Sequence, residues 1–275
     1  MNLIEAAELR HSVRQYTGEP ISAEDRTALE ACIARCNERG GLHMSLVCDE
    51  PEAFGSGLAH YGSFRGVSNY VVIAGAPAAD LDERAGYYGE LVVLETQRLG
   101  LNTCWVALTF KKRLVRKLLA PGEELALVIA IGHGATQGAA HHDKARESFC
   151  TCAGEEPAWF AAGINCAMLA PTAINQQKFH FELVDAGGGA SAAADAAGEV
   201  AGAADATNGV GSGSHGGSLG AAAGAGDLPV VRASTATGPY AKVDLGIAKL
   251  HFELGAGANV ETGENDVFVW AGDAL

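Results

Sequence analysis

The chain has 275 residues, enough for one large domain or two small ones, and its 48% hydrophobic and 19% charged residues can sustain a globular core. A formal net charge of -14 argues against nucleic acid as the main partner, which would need a basic surface. No apolar stretch reaches the roughly 18 residues of a membrane span, and Met1-Asn-Leu-Ile-Glu lacks the basic-then-apolar order of a signal peptide, so a cytoplasmic protein is expected.

In chain order, Leu3, Ala6, Ala7 and Leu9 repeat at helical spacing, and Arg10-His-Ser-Val-Arg14 follows before a turn at Gly18 and Pro20. Ser22-Ala-Glu-Asp25 is a helix-start signal. The helix it opens carries Leu29, Cys32, Ile33 and Cys36 and ends near Gly40-Gly41. Leu42 to Cys48 alternates like a strand, residues 50 to 66 read as loop, and Tyr70 to Ala74 is a short apolar run of the kind buried on both faces. A helix is expected over about 85 to 99, closed by Gly100. A strand follows over Thr103 to Phe110, then a basic helix over 112 to 119 with Leu114, Val115, Leu118 and Leu119 inward, and a strand over Leu125 to Ile131. The second half brings a helix at about 157 to 169, a strand at Phe179 to Val184, a helix near 240 to 254 and a strand at 266 to 271. Between Ala186 and Leu228, 28 of 43 residues are Gly or Ala, with no aromatic, Lys or Arg. Such a segment buries little apolar surface and is expected to be a disordered or loosely ordered insertion. The helices beginning at Gly86 and Ala241 share a faint apolar echo, which two related halves would explain and chance would too.

The seven cysteines are odd in number and scattered, and read as reduced thiols. Neither Cys32 with Cys36 nor Cys150 with Cys152 has the spacing of a zinc-ligand pair, and His141 and His142 add little, so no metal site is expected. Two basic groups stand out instead. If extended, Arg10, Ser12 and Arg14 share one face and offer two guanidinium forks and a hydroxyl, a set that suits phosphate. Lys144 and Arg146 repeat the spacing. Ala170-Pro-Thr-Ala-Ile-Asn-Gln-Gln stops a helix at Pro171 and presents Thr172, Asn175, Gln176 and Gln177, polar and uncharged, as a turn or as the edge of a polar ligand site.

These segments together resemble the FMN-dependent nitroreductase family, in the branch that joins two nitroreductase-like halves in one chain. Arg10 to Arg14 is similar to its N-terminal flavin motif, and Gly100-Leu-Asn-Thr-Cys-Trp-Val106 to its middle motif. Gly132-His-Gly with Lys144 and Arg146 resembles the phosphate-return segment, and Ala170 to Gln177 the Ala-Pro-Ser-type loop. The resemblance implies an α+β fold, with mixed central sheets flanked by helices and two halves forming an intramolecular pseudo-dimer. The halves would be 1–150 and 151–275, the second carrying the 186–228 insertion. Ala34 to Gly41, where the first half should carry its own loop, is degenerate, so one FMN per chain is implied.

By matching position, Arg10 is expected on the phosphate, Ser12 beside it on the phosphate or ribityl chain, and Arg14 at the pyrimidine edge. Lys144 and Arg146 would close a phosphate cage. Pro171, Thr172, Ala173 and Asn175 would cover ring and ribityl from the other half, and the backbone N–H groups of Ala107 and Leu108 would face N5. The implied activity is an oxidoreductase passing hydride from NAD(P)H through flavin N5 to a nitroaromatic or quinone, with no catalytic side chain. The alternatives are a flavin-binding or storage protein without turnover and, more remotely, a thiol- or metal-dependent enzyme. A chain that supplies both sides of the site is expected to be a monomer.

Overall fold

The computed structural model describes residues 1–55, 64–139, 142–184 and 230–257, with backbone strands at 260–262 and 267–270. His141 and the segment 186–228 lie outside the described residues.

The helices begin where the sequence supplies caps. At α1 (Leu3–Leu9), the Asn2 side chain accepts the Glu5 N–H at 2.8 Å, and the Glu5 carboxylate accepts the Asn2 N–H at 2.9 Å. At α2 (Ala23–Gly40), Ser22 Oγ accepts the Asp25 N–H at 3.0 Å, and Gly41 closes the helix in the left-handed region at φ 56°. α3 (Leu81–Arg98) starts four residues before the expected 85 and is followed by Gly100 at φ 77°. The expected basic helix shrinks to one turn, α4 (Lys112–Val115), followed by a 3-10 turn at Arg116–Leu118. Of its four expected inward residues only Val115 is buried, and Leu118 is exposed, because this segment lies on the surface. α5 (Ala158–Ala167) and α6 (Ala241–Ala256) complete the set.

The first sheet contains β1 (His43–Val47), β2 (Asn69–Gly75), β3 (Asn102–Val106) and β4 (Glu124–Gly132), all antiparallel, in the order β1-β2-β4-β3. β2 is buried at every position. Val71 and Ile73 meet Leu29, Ile33 and Val92 from α2 and α3, while Tyr70 and Val72 meet Phe54, Phe110 and Val128 on the opposite face. β3 stops at Val106 rather than Phe110, so Ala107, Leu108 and Thr109 leave the ladder.

The second sheet contains β5 (Cys150–Cys152), β6 (Phe179–Val184), β7 (Val230–Thr235), β8 (Val260–Thr262) and β9 (Val267–Trp270), in the order β5-β6-β7-β9-β8. Only β5 and β6 run parallel. Alternation along β6 turns Phe179, Phe181 and Leu183 inward onto Phe149, Phe160 and Phe252, and the Phe181 and Phe252 rings stack at 4.6 Å. The sequence reading anticipated neither β5 nor β7. The fold is α+β with one antiparallel and one mixed sheet.

α6 is buried on all sides from Val243 to Phe252, as a helix at the centre of a fold must be. It packs on α3 through two glycines. A Cβ on Gly86 would collide with the Val243 carbonyl, and one on Gly246 with the Glu83 carbonyl. Each glycine lies against the residue three positions before the other, so the contact is locally reciprocal. Three polar side chains ride into the interior on α6, and each is partnered. Lys249 pairs with Glu83, His251 with Glu90, and Asp244 with the loop after α5.

Candidate functional site

A cavity of about 280 Å³ opens where β3 ends and the loop after α5 meets the N-terminal turns of α6. This is near the lower end of the range of small-molecule sites, roughly 300–1,000 Å³. Ser12, Arg14 and residues Cys104 to Thr109 line one side, and Pro171 to Ile174, Tyr240, Val243, Asp244 and Ile247 the other. Phe64 and Leu127 complete the wall.

The N-terminal motif reaches this place as extended chain. Val13 N–H donates to the Thr103 carbonyl at 2.9 Å, which lays Ser12 beside β3. Arg14 is exposed and lines the cavity, and its guanidinium has no hydrogen-bond or ion-pair partner among the described residues. The Cys104 thiol, whose pKa burial pushes up, donates to the Trp105 carbonyl at 3.5 Å.

Arg10 does not share their face. It is 6% exposed, and its Nε lies 3.8 Å from Glu90 Oε1 with no hydrogen bond, a buried donor left orphaned. Glu90 is fully buried. It accepts the Trp105 indole N–H at 2.8 Å and lies 3.0 Å from His251 Nε2, while His251 Nδ1 is 3.2 Å from the Cys166 carbonyl. A carbonyl only accepts, so Nδ1 is the donor in that contact. The hub ties α1, α3, β3 and α6 together, and through Trp105 it fixes one wall of the cavity.

The opposite wall is a strained loop. Ile174, Asn175 and Gln177 all have positive φ, at 48°, 56° and 44°. For the β-branched Ile174, 98% exposed, this conformation is unfavourable, and such strain persists only where the surroundings enforce it. Hydrogen bonds enforce it here. Asn175 Nδ2 and Gln177 Nε2 both donate to the His142 carbonyl at 2.9 Å, and Lys144 Nζ donates to the Gln176 and Gln177 carbonyls at 2.7 and 2.8 Å. From α6, Asp244 Oδ1 accepts the Ala173 N–H at 2.9 Å and Oδ2 accepts Gln176 Nε2 at 2.6 Å. Burial raises the Asp244 pKa to about 6, against the opposing pull of Gln176, the Ala173 N–H and Lys178.

Of the expected site residues, Ser12, Arg14, Ala107, Leu108, Pro171, Thr172 and Ala173 come together at the cavity. Arg10, Lys144, Arg146 and Asn175 are not among its lining. Arg10 is drawn to Glu90. Lys144 is held by two loop carbonyls, and Arg146 is paired with Glu156 at 2.7 Å. The amides of Asn175, Gln176 and Gln177 serve the loop, its neighbours and Asp244 rather than a ligand edge. Ala34 to Gly40 forms the last turns of α2. Sequence reasoning missed Asp244, Tyr240 and Glu90. A carboxylate inside an apolar helical run, as in Val243-Asp-Leu-Gly-Ile and Gly89-Glu-Leu-Val-Val, is the signal that could have found two of them.

A family model described as "Putative TM nitroreductase" matches residues 2–256. The chain belongs to this nitroreductase family. A solved structure named a "putative nitroreductase", from Thermotoga maritima, is similar over 98% of this chain and 93% of its own, at 18% identity and a TM-score of 0.57, which shows the shared fold. A second "putative nitroreductase", from Desulfovibrio desulfuricans and in complex with FMN, is 22% identical over 57% of this chain and 98% of its own, with a TM-score of 0.44. No curated protein matches the chain significantly. Among the described residues no helix of this nitroreductase-family chain is long and apolar enough to cross a membrane, and no cluster of His, Cys, Asp or Glu could hold a metal ion.

Proposed function

We propose that the chain is an FMN-dependent oxidoreductase of nitroreductase type. It would take reducing equivalents from NAD(P)H and deliver them to a small acceptor such as a nitroaromatic or a quinone. The observation that carries this reading is the cavity itself, in a chain of this family, walled by a guanidinium and a hydroxyl on one side and a strained, hydrogen-bonded loop on the other. Its chemistry fits a flat heteroaromatic ring with an anionic edge. Val106, Leu127, Val243 and Ile247 supply apolar walls, Trp105 and Tyr240 aromatic ones, and Arg14 an unpaired cation.

Bound there, FMN would supply the hydride chemistry between donor and acceptor. The chain's own residues bind, orient and exclude water. Arg14 would meet negative charge on the ring edge, Ser12 would donate to or accept from a ligand oxygen, and the backbone N–H groups of Ala107 and Leu108, freed where β3 ends, would point to the ring nitrogen. Trp105 would be held in place by Glu90. Lys144 and Asn175 would act on the cofactor through the loop they brace, and Arg10 through Glu90 and Trp105. Arg146 would sit outside this set.

The chain would be an intramolecular pseudo-dimer with halves 1–150 and 151–275, and would need no second copy to complete the cavity. The reciprocal contact of Gly86 and Gly246 and the division of the lining between the two halves support this.

Titration with FMN, followed by flavin fluorescence, tests the reading. Micromolar or tighter binding is expected. Arg14→Ala, which removes one charge-assisted contact of about 1.5–3 kcal/mol, should weaken it roughly 10- to 100-fold. Absence of FMN affinity in the parent chain refutes the proposal. Anaerobic bleaching of the bound flavin by NADH or NADPH, and recovery on adding an acceptor, separates an enzyme from a flavin store.

A further inference from the structure

Next to the cavity lies a second, larger concavity of about 660 Å³, with Leu108 in the lining of both. Leu108 is 60% exposed and forms the lip between them. Four basic side chains line the second space: Lys111, Lys112, Arg113 and Lys117. With Arg116 they place five of the chain's 19 basic residues within seven consecutive positions, in a protein of net charge -14.

Several of the chain's other surface arginines are held in ion pairs. Arg26, Arg84, Arg98, Arg146 and Arg232 each form an ion pair with a carboxylate. None of the five side chains from 111 to 117 has an ion-pair or side-chain hydrogen-bond partner among the described residues. The backbone beneath them is nevertheless fixed. The Lys111 N–H donates to the Ala53 carbonyl at 2.8 Å, and Phe110 and Val115 are buried in the core, which turns the basic side chains outward. Holding this many like charges together on a rigid turn is unfavourable unless an anion neutralises them. Glu52 is the one carboxylate in the groove lining.

We propose that this groove binds the phosphates of the reducing dinucleotide while its nicotinamide enters the neighbouring cavity over the Leu108 lip, and that the groove selects the 2′-phosphorylated donor, NADPH, over NADH. The inference rests on the flavin reading of that cavity for its functional meaning, but the groove's affinity for phosphate does not. Arg113 supplies a planar fork for bidentate phosphate contact, and the lysines supply point charges that adjust to the remaining oxygens. The acidic remainder of the chain repels an anion elsewhere, so the cluster also steers its approach.

Two measurements test this on the full-length chain, with the triple variant Lys112→Ala/Arg113→Ala/Lys117→Ala. These positions are solvent-facing, and an unchanged melting temperature confirms that the variant folds. Calorimetry with adenosine 2′,5′-bisphosphate and with 5′-AMP needs no flavin. The parent should bind the bisphosphate about 10-fold or more tightly than 5′-AMP, and the variant should lose that preference. Raising salt from 20 to 200 mM should weaken the parent far more than the variant. In the FMN-loaded protein, the variant should need about 10- to 100-fold more NADPH for half-maximal reduction, with FMN affinity and the acceptor KM unchanged. Equal binding of the two nucleotides by the parent overturns the proposal. So does a variant that binds the bisphosphate like the parent, or one whose acceptor KM rises while its NADPH dependence stays. A chain that binds the bisphosphate on this cluster but takes up no FMN would refute the flavin reading and leave the phosphate site standing.

Discussion

Asp244→Asn should change the sign of its effect on stability as pH rises. Asp244 is 2% exposed, and burial raises its pKa from the usual 3.8 to about 6. The unfolded chain therefore loses this proton near pH 4, while the native protein keeps it to about pH 6. Over that window the native state binds more protons, so this residue's contribution to stability falls as pH rises and is flat above about pH 6. The full change is about 3 kcal/mol, at 1.36 kcal/mol per pKa unit. Asparagine escapes that penalty. Its Oδ1 can still accept the Ala173 N–H, but its Nδ2 would face Gln176 Nε2, donor against donor. Gln176 can turn its oxygen toward the new donor only by giving up its 3.0 Å bond to the Pro239 carbonyl. That loss of one hydrogen bond, about 1 kcal/mol, is the same at every pH. The variant should thus be about 1 kcal/mol less stable than the parent at pH 4 and about 2 kcal/mol more stable at pH 7. Urea unfolding followed by tryptophan fluorescence between pH 4 and 7.5 measures the difference, and the other titrating groups cancel between the two proteins. A difference that stays constant over this range would show that Asp244 is ionised normally in the folded chain, and the argument would fail.

Glu90→Ala should cost about 3–5 kcal/mol in urea unfolding, because it strands a buried imidazole, a guanidinium and the Trp105 N–H. Gly246→Ala would gain up to about 1 kcal/mol from helix propensity alone. The collision with the Glu83 carbonyl should reverse the sign to a net loss of about 1–3 kcal/mol, visible as a lower melting temperature. Arg146→Ala breaks a partly exposed pair with Glu156 and should change stability by less than about 1 kcal/mol, with FMN affinity measured by fluorescence left unaltered.

Much of the fold was legible because local chemistry and tertiary packing agree. Ser22 caps α2, Gly41 and Gly100 terminate helices, the apolar run of β2 is buried on both faces, and the period-two pattern of β6 faces a phenylalanine core. What escaped was decided at long range. β5 is three residues long and exists by parallel pairing with β6. β7 offers only Val231 and Ala233 as buried residues, and the strand it pairs with ends at Val184. β3 ends early because Ala107 to Thr109 turn aside to wall the cavity. At the site, residue types were legible, but their directions were not. Arg10 and Arg14 look equivalent in an extended Arg-x-Ser-x-Arg, yet a buried carboxylate about eighty positions further along the chain, Glu90, draws one of them inward.

The same long-range logic changes the meaning of the echo between the two long helices. The sequence pattern sets Gly86 against Ala241, whereas the packing sets Gly86 against Gly246, each over the carbonyl three residues before the other. In that register Glu90 falls opposite Leu250, and His251 opposite Leu91. The Glu90–His251 contact therefore has a counterpart position occupied by two leucines, which lie together in the small cluster under α1. One side of the crossing is polar and holds Trp105 at the cavity, while the other is apolar and only packs. On the proposed two-halves reading the chain is free to differ in this way, since each position is encoded separately. A symmetric pair of identical subunits would have to place the same residues on both sides. Replacing Leu91 and Leu250 together with a Glu and His pair should consequently cost stability without creating a second binding site. One equivalent of FMN per chain in the double variant, as in the parent, is the expected stoichiometry, and two equivalents would show that the hub alone specifies the site.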